Sequence, residues 1–267
     1  MKLYQQFLTH NSCFQAGEQI KIVGVMWHST AVDNPNLSRY VPGNKEIGFN
    51  TNGNHWDQTN AEWKKKFGMP LNKCVHAFIG KTVTGEVAVV QTLPWEMRGW
   101  HAGMSAGNSR YIGFELCEDG LADPEYFNAV YTAGVELTAM LCRKYNLNPM
   151  QDGVIICHAE GYKRGIASNH ADVMHWFRLF GKTMDDVRAD VARILQGEED
   201  EEVTQKQFDE MMDNYLARRA AMPAGSWDTE NLLAEAVKMG ITDGERPEAF
   251  ATRHEVALMV RAAVYAD

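Results

Sequence analysis

The sequence predicts an α/β fold, a mixed central β-sheet flanked by helices, followed by a small helical C-terminal module. Three observations predict it. Five short apolar runs, at about 21–27, 74–81, 85–92, 110–117 and 153–157, read as strands. The stretches at 123–146 and 183–195 carry apolar residues at helical spacing. The charge also changes at one point: residues 1–196 hold 19 Lys+Arg and 19 Asp+Glu, so residues 197–267 carry the entire net charge of −9.

The first run ends "VMWHST", where an apolar strand gives way to His28, Ser29 and Thr30. The second and third are joined by "TVTGE", a hairpin signal with Gly85 at the tight position. Hairpin and helical crossovers in one sheet make its strand directions mixed. The fourth, "YIGFEL", is expected to bury alternate residues around Glu115. The following helix opens with Asp123 as N-cap and Pro124 in its first turn, and spaces Phe127, Val130, Val135, Leu137 and Leu141 along it. The fifth run, "GVIICHAE", terminates in His158.

The helix "TMDDVRADVARIL" has Thr183 and Asp186 at capping-box spacing, with Val187, Val191 and Leu195 on one face. Five consecutive acids, Glu198–Glu202, then resist packing and mark a boundary. Beyond them "TQKQFDEMMDNYLARRAA" reads as an amphipathic helix with Phe208, Met211, Met212 and Tyr215 on its apolar side, and "MPAGS" (222–226) breaks the chain again. The expected organisation is a main domain over 1–196, a linker and helix over 197–225, and a helical module over 226–267.

Composition excludes several classes. No stretch approaches the ~18 apolar residues of a membrane span, so no membrane partner is expected. Neither part has the basic footprint of a nucleic-acid binder. The start lacks a continuous apolar segment, so synthesis in the cytoplasm without a signal peptide is expected. Cys13, Cys74, Cys117, Cys142 and Cys157 form no CxxC pair, which suits a reducing compartment.

Ionisable groups at strand ends suggest chemistry, because a sheet can hold such side chains rigidly against a cleft. Downstream of His158, "NHADVMH" packs His170, Asp172 and His175 into six residues. No HExxH helix is present, so a metal site must be assembled from separate elements. A zinc hydrolase needs three protein ligands and one open position; His28, His158 and one residue of "NHADVMH" are candidates.

The segments "VMWHST", "CVHAFIG", "GEVAVVQTLPWEMRGWHAG", "SRYIGFEL" and "ICHAEG" occur in the order seen in zinc-dependent N-acetylmuramoyl-L-alanine amidases of the type-2 family. Peptidoglycan recognition proteins share that fold. The resemblance covers about residues 20–195 and is nearest to phage and prophage endolysins. It implies Zn2+ as cofactor, peptidoglycan as partner, and His28 and His158 as ligands. Relatives end the next loop in Lys-x-Asp or Lys-x-Cys, the last residue binding zinc. The loop is longer here, and the spacing to Phe177 selects Asp172 as third ligand. His170 then stands where relatives have Lys and is expected to stabilise the attacked carbonyl oxygen. His175 is left to packing or ligand support. Glu115 resembles the family's acidic catalytic residue, moving a proton from water to the leaving amine.

The resemblance also places His76, Trp100 and His101 against the substrate, although His76 alternates with apolar neighbours and is equally suited to filling the sheet. Trp95 and Trp100 suit either a core or a sugar-stacking platform. Cys157 is expected in the core, facing away from His158, while Cys117 shares the face of Glu115. The segment "GITDGERPEAFATRHEVALMVRA" resembles an S-layer homology repeat, implying wall anchoring after release from the cell. A helical hairpin forming a homo-oligomer is its alternative. For the main domain the alternatives are a muropeptide-binding protein that does not cleave, and a zinc peptidase or deacetylase.

Overall fold

The structure is a computed structural model that describes residues 1–197, 205–221, 231–245, 250–251 and 253–265. The acidic run 198–202, the "MPAGS" break, Trp227 and part of the S-layer-like segment (246–249) lie outside the described residues, as does the Phe208 side chain. The chain forms two compact units, Met1–Glu199 and Asp200–Asp267.

Six strands build the sheet of the first unit: β1 (Leu3–Gln5), β2 (Gly24–Asp33), β3 (Ala77–Lys81), β4 (Val87–Gln91), β5 (Tyr111–Glu118) and β6 (Ile155–Cys157). Their spatial order is β1-β4-β3-β5-β2-β6. Only the β3–β4 hairpin is antiparallel; every other pairing is parallel. The hairpin closes through the Thr82 N–H donating to Glu86 O at 2.8 Å, with Gly85 at φ +85° in its turn. The mixed α/β sheet is as expected.

The helices of this unit are α1 (Ser12–Ala16), α2 (Asn60–Phe67), α3 (Ser105–Asn108), α4 (Pro124–Tyr145), α5 (His158–Lys163), α6 (Met174–Phe177) and α7 (Met184–Leu195). The Asp123 side chain accepts from the Glu125 and Tyr126 N–H groups to start α4, and Thr183 with Asp186 forms the capping box of α7. Residues facing alternate sides of the strands separate two layers of core. Val25, Trp27, Ile112, Phe114, Leu116, Ile155 and Cys157 pack with α4 and α7 on one face. The opposite face carries Phe78, Val90 and Cys117 in one cluster and Met26 and Ile156 in another. By the same alternation His28, Glu115 and His158 belong to the face away from α4.

Two expectations about strand ends need correction. β2 does not stop at His28 but continues to Asp33, with a register irregularity after Ser29 and Ala31 at φ +50°. The apolar pattern stops early because from His28 onward the strand lines a cleft. β5 is buried along nearly all its length instead of on alternate residues, because a central parallel strand is covered on both faces.

In the second unit, α8 (Gln205–Ala220), α9 (Leu232–Lys238) and α10 (Arg253–Val264) are helical. Met211, Met212 and Tyr215 on α8 are exposed. Among the described residues, no helix is long and apolar enough to cross a membrane.

Candidate metal centre and active-site cleft

Strand register brings the chemistry together. His28 lies opposite Glu115, and Trp27 opposite Cys157, so the residue after Cys157 leaves the sheet next to His28. That residue is His158, the first of α5. The loop after α5 returns, and the Ala159 N–H donates to the Asp172 carbonyl at 3.2 Å, pinning the loop against the helix start. Three mutually parallel strands, β5, β2 and β6, therefore bring Glu115, His28 and His158 to one crevice, the first two from within their strands and the third from just past the end of its own.

His28 Nδ1 lies 3.0 Å from His158 Nδ1 and 3.1 Å from Asp172 Oδ2, while His158 Nδ1 and the same Oδ2 are 3.5 Å apart. Among the described residues these three form the one group of His, Cys, Asp or Glu gathered tightly enough to hold a metal. The fit to zinc can be tested on the triangle. Ligands ~2.0–2.1 Å from a tetrahedral ion sit about 3.3 Å from one another, within a few tenths of the observed sides. Two nitrogens and a carboxylate also match the borderline-soft chemistry of Zn2+. The residues present fit the ion.

The outward nitrogens of both imidazoles are engaged. His28 Nε2 is 2.9 Å from His101 Nδ1, and His158 Nε2 is 3.2 Å from Ser168 Oγ. Ser168 Oγ in turn lies 3.0 Å from His170 Nδ1 and 3.3 Å from the Ala102 carbonyl. Burial pushes His28 and His101 below the ordinary histidine range, favouring neutral rings.

Glu115 stands on the cleft wall with Oε2 buried and without a hydrogen-bond partner. Burial first, then the nearby Asp172 charge, pushes its carboxyl well above the usual range. A carboxyl so placed can hold or accept a proton near neutral pH. The cleft, about 440 Å³, is also lined by Trp100, His101, His170 and residues of the 30–73 segment: Arg39, Tyr40, Trp56, Trp63 and Lys73. Trp100 is 40% exposed and free to meet a ligand, whereas Trp95 is buried and stacks with His76.

The remaining histidines separate clearly. His170 is exposed at the cleft rim, its ring 4.7 Å from that of His158. His175 lies apart from the ligand triangle and pairs with buried Glu118 at 2.9 Å. The expectation that His76 contacts substrate is corrected. His76 is fully buried, its Nδ1 accepts from the Gly113 N–H at 3.0 Å, and its Nε2 reaches the Met97 carbonyl at 2.8 Å. Burial pushes it down to about 4, so it fills the sheet as a neutral ring. Cys157 is buried on the α4 face, as expected. Sequence reasoning missed Ser168, which has no spacing signal, and the 30–73 wall, which has no apolar periodicity and only the Thr59–Glu62 capping box to announce it.

Residues 18–174 match the family model for N-acetylmuramoyl-L-alanine amidase. The chain belongs to this family. Among solved structures of similar fold, the Staphylococcus aureus hydrolase AmiA, in complex with its ligand, is 19% identical with a TM-score of 0.51, the match covering 74% of this chain and 86% of that one. PlyL is 15% identical with a TM-score of 0.46, over 72% and 97% of the two chains. The N-acetylmuramoyl-L-alanine amidase LysC from Clostridium intestinale URNW is 14% identical with a TM-score of 0.36, over 68% and 99%. No curated protein sequence matches this chain. The likeness to AmiA shows the amidase fold, and membership of the family places the chain among peptidoglycan amidases.

Proposed function

We propose that this protein is a zinc-dependent peptidoglycan hydrolase cleaving the amide between the lactyl group of N-acetylmuramic acid and L-alanine of the stem peptide. One observation carries the reading: His28, His158 and Asp172 converge on a point in the same cleft as a buried, partnerless carboxylate oxygen of Glu115. A bound zinc ion supplies Lewis acidity, which makes water nucleophilic near neutral pH. Glu115 takes the proton of the attacking water and delivers it to the departing amide nitrogen. His170, at the rim, donates a hydrogen bond to the carbonyl oxygen as it gains negative charge. Trp100 offers an exposed ring against which the substrate can lie.

The cellular role we assign is that of a phage or prophage endolysin or an autolysin, made in the cytoplasm and acting on the wall after release. Residues 1–196 form the catalytic domain and 197–225 the linker and helix. Residues 226–267 bind wall polymer or join copies of the chain. Mass spectrometry of a soluble muropeptide incubated with the protein tests the chemistry. Release of intact stem peptide with a new N-terminal alanine is expected, abolished by a chelator and restored by Zn2+. Binding of the muropeptide without cleavage, with zinc present, would replace this reading with that of a recognition protein.

A further inference from the structure

We propose that His101 is a positioning residue that holds His28 in the tautomer required of a metal ligand; this rests on the zinc reading above. The hydrogen-bond chain is directional. His101 Nε2 lies 3.1 Å from the Tyr111 carbonyl oxygen, which can only accept, so Nε2 carries the proton of the neutral His101 ring. Its Nδ1 then bears a lone pair, and the partner 2.9 Å away, His28 Nε2, must be the donor. With its proton on Nε2, His28 can turn the Nδ1 lone pair to an ion held between it, His158 Nδ1 and Asp172 Oδ2; without the ion, the Asp172 carboxylate can only accept and draws a proton to Nδ1 instead. A backbone carbonyl of one strand thus dictates, through one imidazole, which nitrogen of the next is available to the ion. His158 is oriented in the same sense: the Ser168 hydroxyl donates to the Ala102 carbonyl at 3.3 Å and so accepts from His158 Nε2 at 3.2 Å.

The backbone is shaped around this ring. A Cβ at Gly113 would sit 2.3 Å from His101 Nδ1, so the glycine in "YIGFEL" leaves the space that the imidazole occupies. From the other side, Asn108 Oδ1 accepts the backbone N–H groups of His101 and Ala102, each at 2.8 Å, fixing the segment. With both ring nitrogens committed to the protein, His101 has none left for a substrate. The substrate contact expected from the family resemblance gives way to control of the metal ligand. Partners of this kind typically matter by 10–100-fold in metal affinity.

Three measurements test it. In the wild-type protein loaded with cadmium in place of zinc, 15N NMR should find the metal coupled to His28 Nδ1 and a proton on Nε2; coupling of the metal to Nε2 overturns the proposal whatever the variants do. His101→Phe keeps a ring in the space but neither nitrogen, and should weaken zinc, measured by chelator competition, by about 10–100-fold. His101→Gln, whose amide can both donate to Tyr111 and accept from His28, should recover most of that affinity. Wild-type zinc affinity in His101→Phe, with only KM raised, would make His101 a substrate contact and sink the idea. The zinc reading itself fails separately, if the wild-type protein binds no zinc.

Discussion

A carboxyl kept out of water without a partner costs stability when it ionises, and Glu115 is such a group. Its folded-state pKa is raised by burial, with the Asp172 charge adding to the effect. Above the ordinary glutamate pKa the unfolded chain therefore gives up this proton more readily than the fold does. The folded state is penalised progressively as pH rises from there towards the raised value. Metal-free Glu115→Gln should accordingly melt at a higher temperature than wild type at pH 7, the gain vanishing near pH 4. Equal melting temperatures at pH 7 would contradict the burial cost. The same variant should keep its zinc yet lose about 100-fold or more in turnover, since the amide cannot accept the proton. Near-normal turnover would leave Glu115 as a structural acid. Ligand identity is tested beside it. Asp172→Ala should lose stoichiometric zinc on dialysis, whereas His175→Ala, which removes only the contact to Glu118, should retain it.

Elements with strong local signals were legible in the sequence, and those stabilised by their surroundings were not. The long helix α4 and the capped helix α7 stand within a residue of where Asp123, Pro124 and the Thr183–Asp186 pair place them. Thr183→Ala should cost about 1 kcal/mol. A drop of roughly 2–4 °C in the melting temperature of the first unit is the expected readout, with zinc content unchanged. β1 is a three-residue edge strand with no buried residue, so no apolar run announces it. α2 has a capping box from Thr59 and Glu62 that was readable, but the helix buries no residue and shows no apolar stripe. In the site, His28, His158, Asp172 and Glu115 were legible through the family resemblance, and the structure brings the first three together beside the fourth. His76 was misplaced by the resemblance, whereas its alternation with apolar neighbours already suited the sheet-filling role that its complete burial shows. Ser168 was missed because a hydroxyl in a loop carries no pattern of its own.

Over the whole molecule, every proposed catalytic group lies in the compact unit Met1–Glu199. Residues 1–196 alone should fold, bind zinc and cleave soluble muropeptides at close to the full-length rate. Intact walls should distinguish the two forms, because the acidic C-terminal part would raise the local enzyme concentration there. Charge attraction cannot be the means: the segment carries the entire −9 and anionic wall polymers would repel it, so binding should survive moderate salt. Equal wall binding by both forms would remove the targeting role.

Zinc titration of the metal-free protein tests the central claim most directly, with liberation of N-terminal alanine from muropeptide as the readout. Activity should start from none, rise linearly with added Zn2+ and level off at one ion per chain. Full activity without metal, or zinc bound at one per chain with no alanine liberated, would contradict the claim that this cleft is a zinc amidase.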